Sequence, residues 1–252
     1  ALAERGHDVF ATTMNAQTVQ ALTCLGIHHV DWRWVPGASW AQLCETKARR
    51  WIVTVPPRMG LKKSMAFHHA LQQAAAACGV ERLVWTSSTA VYDPAQAGTL
   101  VEADAGRHIS RHTGVDMLAL ENIHRHGNVP FVAMRFGGLF GQGRHPVKAL
   151  LKRGTIHGGD GHVQWVHEED AAAACVLTVL HEGPLPDALN VVAPEVRSRR
   201  DLLSAAFPAN LSVDITPGGV QRKVSSQALT VLGLAALVAG QDQEAHTNQT
   251  QW

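Results

Sequence analysis

Two rhythms of apolar and polar residues alternate along the chain. Short apolar runs are bounded by turn residues, and between them lie segments with apolar residues three and four apart. The first rhythm predicts buried strands and the second amphipathic helices. Residues 1–5 read as the last turns of a helix, with Gly6 just past its end. A strand over 7–13 follows, then a helix over 16–25 closed by Gly26 and another strand over 27–32. Pro36-Gly37 breaks the chain, residues 40–43 fit a short helix, and residues 50–57 form a strand stopped by Pro56-Pro57. An Ala-rich helix over 65–78 ends at Gly79. Strands are expected again at 83–85, 129–135 and 189–193, a helix at 111–126, and a late helix capped by Ser198. Strand and helix in repeated succession predict an α/β chain with a doubly wound parallel (Rossmann) sheet.

One strand stands out for its ending. Leu83-Val84-Trp85 runs directly into Thr86-Ser87-Ser88-Thr89, followed by Ala90-Val91-Tyr92. In open parallel sheets, ligands sit just past the carboxyl ends of strands, so these hydroxyls are placed to meet one. Hydroxyls at a strand end serve equally well as caps of the turn that follows.

Composition narrows the function classes. A chain of 252 residues fits one large α/β domain or a domain with a small lobe. The 22 Lys and Arg against 21 Asp and Glu leave a net charge of +1, which gives no electrostatic case for nucleic acid or an anionic membrane. No apolar run is long enough for a transmembrane helix, and the first residues lack a signal-peptide pattern. Cys24, Cys44, Cys78 and Cys175 are scattered without a Cys-x-x-Cys spacing, which predicts reduced thiols, Cys78 as a small core residue, and a cytoplasmic setting. Histidine is frequent, at 15, and is expected mostly on the surface.

Ser-Ser-x-x-Val-Tyr after a hydrophobic strand resembles the extended short-chain dehydrogenase/reductases, the NAD-dependent epimerase/dehydratase family. The resemblance covers roughly residues 1–235 and points to a YeeZ-like branch. It implies that Ser88 is catalytic. Counting on about 25 residues reaches Thr113-Gly114-Val115-Asp116-Met117, continuing to Glu121, where the family pattern is Tyr-Gly-x-Ser-Lys-x-x-x-Glu. Gly114 and Glu121 match, but Thr113 stands at the Tyr position and Met117 at the Lys position.

The resemblance also implies a dinucleotide cofactor, NAD(P). The strand ending at Thr12 and Thr13 would face its ribose. No acid stands at residues 12–15, which leans toward NADP. Asp31 falls at an adenine-contact position, or is an ordinary strand-end turn residue. Pro56 and Thr86 lie where the family runs along the cofactor. Residues 136–144 resemble the family's Arg-x-x-x-x-Tyr-Gly-Pro-Gly-Arg stretch. Gly137 and Gly138 there would let a ligand approach the backbone, or simply make a turn. Val166-His167-Glu168-Glu169-Asp170 resembles Val-His-x-x-Asp, whose His and Asp fix the small lobe. The expected organisation is a cofactor domain at 1–144, a mixed region with a substrate-side lobe at 145–240, and a disordered tail at 241–252. Relative to the family pattern, the chain is expected to lack a first strand and its Gly-rich phosphate turn, and therefore to bind NAD(P) poorly as a fragment.

The chemistry is thus atypical. In the family, Tyr is the acid/base and Lys lowers its pKa. A Thr hydroxyl has no usable pKa near neutrality, and Met offers neither charge nor donor. Tyr92, the only Tyr, belongs to the serine loop and is expected to line the pocket. His108 and His112 are four apart and could share a helix face as ligands or an acid/base pair, though they read more simply as surface residues. Two function classes remain. One is an enzyme acting on a small-molecule carbonyl or sugar-nucleotide substrate, possible homodimer formation included. The other is a non-catalytic dinucleotide-binding sensor or interaction module.

Overall fold

The structure, a computed structural model, describes residues 2–55, 60–106, 112–141, 155–206 and 214–234. The chain divides into two compact units. The first comprises residues 1–86, 119–132 and 176–187, and the second residues 87–118, 133–175 and 188–252.

In the first unit, a 3-10 turn over Ala3–Arg5 ends at Gly6, whose φ of 80° is left-handed, as its place past a helical turn predicts. Strand β1 (Phe10–Ala11) leads to helix α1 (Ala16–Cys24), with Asn15 accepting the Gln17 and Thr18 N–H groups as its cap. Strand β2 (His28–His29) pairs with β1 in parallel, Phe10 opposite His28. Both strands are shorter than their apolar runs. Helix α2 (Ala41–Glu45) precedes β3 (Arg50–Val53), and α3 spans Leu61–Ala77. Helix α3 starts four residues earlier than its apolar spacing predicts, because Gly60 (φ 81°) supplies the turn into it. Its buried residues Ser64, Phe67, His68, Leu71, Gln72 and Ala75 recur at three and four, so one stripe faces inward.

Strand β4 (Arg82–Ser88) pairs with β3 in parallel, Arg50 opposite Arg82. Strand β5 (Gly98–Leu100), helix α4 (His112–Arg125), β6 (Phe131–Phe136) and β7 (Gly138–Phe140) follow. Then come β8 (Thr155–Ile156), β9 (His162–Val163), β10 (Trp165–His167), α5 (Glu168–Leu180) and β11 (Ala188–Val191). The described chain closes with β12 (Arg197–Ser198), α6 (Arg199–Ala206), β13 (Asp214–Ile215), β14 (Arg222–Val224) and α7 (Gln227–Val231). Ser198 and Asp201 cap α6 reciprocally, each side chain accepting the other's N–H.

The main sheet has the order β11-β6-β4-β3. All six residues of β6 and all four of β11 are buried, the pattern of parallel strands covered on both faces. The β1–β2 ladder forms a separate two-stranded sheet. In the second unit, short ladders join β7 to β10, β8 to β13, β9 to β12 and β5 to β14.

One expectation is corrected here. Cys44 and Cys78 are joined as a disulfide, and Cys78 is half-buried, not a core residue. Their sequence spacing gave no motif because strand pairing, not chain proximity, brings them together. Cys24 is an exposed thiol and Cys175 a buried one, whose pKa burial pushes up to about 12. Among the described residues, no helix is long and apolar enough to cross a membrane.

Candidate functional site

Strand β4 delivers Ser88 at its carboxyl end, in the second unit. Its Oγ accepts the Ala90 N–H at 3.2 Å and so caps the 3-10 turn over Thr89–Val91. The capping role is realised, and the hydroxyl proton is left for a donor bond. Thr113 lies in the first turn of α4, and its side chain lies outside the described residues. Met117, one turn on, is only 4% exposed. The position that the resemblance matches to the family's Lys is thus an apolar, packed one. Gly114 is buried as well, and Glu121 lies 3.9 Å from Arg125.

Tyr92 does not behave as a pocket-lining acid/base. It is 1% exposed, and its hydroxyl donates to Asn190 Oδ1 at 2.6 Å while accepting from Arg135 Nη1 at 3.3 Å. Burial raises the phenol pKa above its ordinary value, with the Arg135 charge and hydrogen bond opposing. The phenol therefore stays protonated near neutrality and works as a structural donor. Arg135 is itself 1% exposed, donates to the Glu102 carbonyl at 2.9 Å, and lies 5.7 Å from the Tyr92 ring centre. Glu102 Oε1 accepts the Asn190 N–H at 2.9 Å, and Asn190 Nδ2 donates to the Ser225 carbonyl at 3.0 Å. Sequence reasoning did not single out this network. Its one visible signal was Arg135 inside an apolar strand, since a buried Arg requires partners.

The glycines after β6 have a packing reason. A Cβ on Gly137 would crowd the Gln164 carbonyl oxygen, and one on Gly138 would fall inside the Trp165 indole. The β7–β10 ladder sets Gly138 opposite Trp165, so strand approach by itself requires small residues here. Gln164 locks this region by donating to the Ala193 and Val224 carbonyls and accepting the Val224 N–H. His167 is buried, its Nδ1 accepts the Glu169 N–H at 3.4 Å, and it meets Phe140 edge-on at 5.1 Å. Asp170 stands in the acidic first turn of α5, where negative charge suits the helix N-terminus.

Of the expected cofactor residues, Thr12, Thr13, Asp31 and Thr86 fall in the first unit, and Gly137 and Gly138 in the second. Parallel pairing of β1 with β2 continues through the Val30 N–H to Ala11 bond, so Thr12, Thr13 and Asp31 follow the same sheet edge. Thr13 Oγ1 accepts the Asn15 N–H at 3.2 Å and retains its own proton as a donor. Asp31 is exposed and Thr86 half-buried. Pro56 and His108 lie outside the described residues, as do residues 142–154 and the tail from 235 on; the His112 side chain does also. Among the described residues, no group of three His, Cys, Asp or Glu could hold a metal ion.

A second buried polar cluster lies within the first unit. His68 Nδ1 and His124 Nε2 are 2.6 Å apart, and Gln72 Nε2 is 2.8 Å from His124 Nδ1. Burial, with a smaller charge term from neighbouring histidines, lowers their pKa values to about 4 and about 3. Both are therefore neutral at pH 7. With the Gln72 amide donating to His124 Nδ1, the proton of His124 sits on Nε2 and is donated to His68. A groove of about 550 Å³ between α3 and α4 is lined by His69, Gln72, Asn122 and His126 among others. Histidine is expected mostly on the surface, and among the described residues His68, His124 and His167 are buried. Helical spacing puts His68 on the buried stripe of α3, which was the available signal.

Residues 61–191 match the NAD dependent epimerase/dehydratase family. The chain belongs to this family. The matched segment runs from the start of α3 to the end of β11 and includes Ser88, Thr113 and Met117. Protein YeeZ of Escherichia coli K12 is 30% identical over 148 residues, which cover 57% of this chain and 52% of that protein. The chain spans about half the length of the curated relatives it matches. A solved UDP-glucuronic acid 4-epimerase from Bacillus cereus, in complex with NAD, superposes with a TM-score of 0.74 at 15% identity, over 98% of this chain and 93% of that one. MoeE5 in complex with UDP-glucose and NAD gives a TM-score of 0.70 at 19% identity, over 96% of each chain. These similarities show that the fold is that of the Rossmann-type epimerases.

Proposed function

We propose that this chain is an NAD(P)-binding family member that recognises a sugar-nucleotide or small carbonyl ligand without the Tyr/Lys chemistry of the epimerases. The observation that carries the proposal is Met117, buried in apolar packing at the position of the family's Lys. The residues assigned to the cofactor suit it. Thr12, Thr13 and Asp31 share one sheet edge, the Thr13 hydroxyl keeps a donor for a ribose or phosphate oxygen, and no acid at 12–15 opposes a 2′-phosphate, which favours NADP. Thr86, Pro56, Gly137 and Gly138 are assigned to the remainder of the contact. When bound, the nicotinamide supplies hydride acceptor or donor capacity. Ser88 then holds a ligand oxygen with its remaining proton, and Thr113 adds a second hydroxyl. Neither shifts a proton near neutrality without a partner base.

A second reading follows from Tyr92. With its phenol engaged by Asn190 and Arg135, it is no substitute acid/base, which favours a non-catalytic sensor or interaction module. The substrate side is assigned to the lobe within 145–240, and a homodimer is part of the same proposal. A cytoplasmic setting belongs to it too, and requires the Cys44–Cys78 bond to be reversible.

Calorimetry with NAD and NADP, paired with absorbance assays against UDP-sugars and simple carbonyls, tests the proposal. On a chain that includes the family's upstream strand and Gly-rich turn, stoichiometric binding without nicotinamide turnover is the expected result. Turnover that falls about 10³-fold in Ser88→Ala, the scale of losing an oxyanion donor, would overturn it.

A further inference from the structure

The Cys44–Cys78 pair follows from strand register. β3 and β4 pair in parallel with Arg50 opposite Arg82, and Trp51, Ile52 and Val53 opposite Leu83, Val84 and Trp85. The turns that feed the two strands must therefore lie side by side at their amino ends. Two further contacts make the same junction: the Glu81 N–H donates to the Arg49 carbonyl at 2.6 Å, and the Arg49 guanidinium meets the Glu81 carboxylate at 2.6 Å. Cys44 sits near the end of α2, and Cys78 caps α3. Their Cα atoms are 4.8 Å apart, inside the range of about 4.4–6.8 Å that a disulfide spans.

Each turn is held by its own backbone. After Cys44, Lys47 takes a left-handed φ of 56° and donates its N–H to the Cys44 carbonyl at 3.0 Å. Thr46 Oγ1 donates to the Leu43 carbonyl at 2.6 Å. At the other side, Cys78 N–H bonds to Ala74, Gly79 turns at φ 70°, and Val80 N–H bonds to Ala75. Each cysteine thus stands on a hydrogen-bonded turn, and both are half-buried, within reach of a small reagent. Among the described residues β3 pairs with β4 alone, so β3 is an edge strand of the main sheet. A covalent link at its amino end fastens that edge.

We propose that Cys44 and Cys78 form a reversible thiol–disulfide tie that fastens β3 to β4 when oxidised and releases its amino end when reduced. The oxidant is a small-molecule disulfide. The thiolate of one cysteine attacks a sulfur of that disulfide, giving a mixed disulfide and one released thiolate. The second cysteine, deprotonated, attacks the protein-bound sulfur and expels the second thiolate. Two protein thiols are oxidised, one disulfide is reduced to two thiols, and the two cysteine protons end on the released sulfurs. The tie lies at the amino ends of β3 and β4, while Thr54 and Thr86 lie toward the carboxyl ends.

The test uses the full chain equilibrated in glutathione buffers of varied ratio. Peptide mapping without reduction should find Cys44–Cys78 linked in oxidising buffer and free in reducing buffer, with Cys24 and Cys175 unlinked in both. The oxidised chain should melt about 5–10 °C higher than the reduced one, the scale expected for closing a loop of this length. β3 amides should exchange hydrogen more slowly in the oxidised form. Cys44→Ser should abolish the difference and Cys24→Ser should preserve it; alkylation mapping of the wild-type chain gives the answer should Cys44→Ser not fold. Four free thiols in oxidising buffer, a bond to Cys24, or a Cys44–Cys78 bond that excess reduced glutathione never opens would each overturn the proposal.

Discussion

The two compact units bury basic side chains by opposite means. In the first, the interior holds imidazoles that avoid charge: His68 and His124 are 1% and 2% exposed, bonded to each other, and kept neutral by desolvation. Rings of Phe67, Trp85 and Phe131 pack around them, with His124 stacked on Phe131 at 4.4 Å. The buried side-chain polar atoms without a partner among the described residues, Ser64 Oγ, Trp85 Nε1 and Thr178 Oγ1, also belong to this unit. In the second unit the interior holds Arg135, whose charge cannot be removed by titration. There the fold wraps the guanidinium with the Glu102 carbonyl and the Tyr92 hydroxyl and ring, and ties both to Asn190. A group that can shed its proton needs little from its surroundings, whereas one that cannot must be surrounded by acceptors.

The largest test of this contrast removes the permanent charge's owner. Arg135→Ala removes the donor to the Tyr92 hydroxyl and the shorter of two donors to the Glu102 carbonyl, and opens a cavity, so urea denaturation should show a loss of about 4 kcal/mol. A loss under about 1 kcal/mol would mean that the network does not hold the second unit together.

Acid should act on the other interior. The folded pKa values of His68 and His124, about 4 and about 3, lie below the ordinary 6.5. The unfolded chain therefore takes up protons first as pH falls. The stability these groups permit is complete above about pH 6.5 and drains away as pH drops toward and through the folded values. Between pH 7 and pH 5 the loss should be on the order of 3 kcal/mol, read from denaturation midpoints. The double variant His68→Leu/His124→Leu should flatten that dependence.

The finest test separates ring from hydroxyl in the second unit. Tyr92→Phe keeps the ring over Arg135 but removes one donor to Asn190 and one acceptor, with an expected loss of about 1–2 kcal/mol. An equal loss in Arg135→Ala and in the Arg135→Ala/Tyr92→Phe double variant would show that the two act as a unit.

Local pattern by itself determined much of the element order in the first unit. Gly6, Gly26 and Gly79 adopt left-handed φ at the turns read from the sequence, whereas the start of α3 at Gly60 and the short strands β5, β8, β9, β13 and β14 were not read from it. The succession of strands and helices also determined the fold class, because parallel strands demand crossover helices. Ser88, Thr113 and Met117 were singled out by the family resemblance, and the fold sets them on one strand end and one helix. Periodicity gives a residue's side of an element but not what that side meets. Only the tertiary structure decided that Met117 is buried, that Tyr92 serves Asn190 and Arg135, and that Gly138 is small because Trp165 occupies the space beside it. It decided equally that His68 meets His124 across 56 residues and Cys44 meets Cys78 across 34. Each of these depends on strand register and helix packing, which join residues far apart in sequence through contacts that no local spacing encodes.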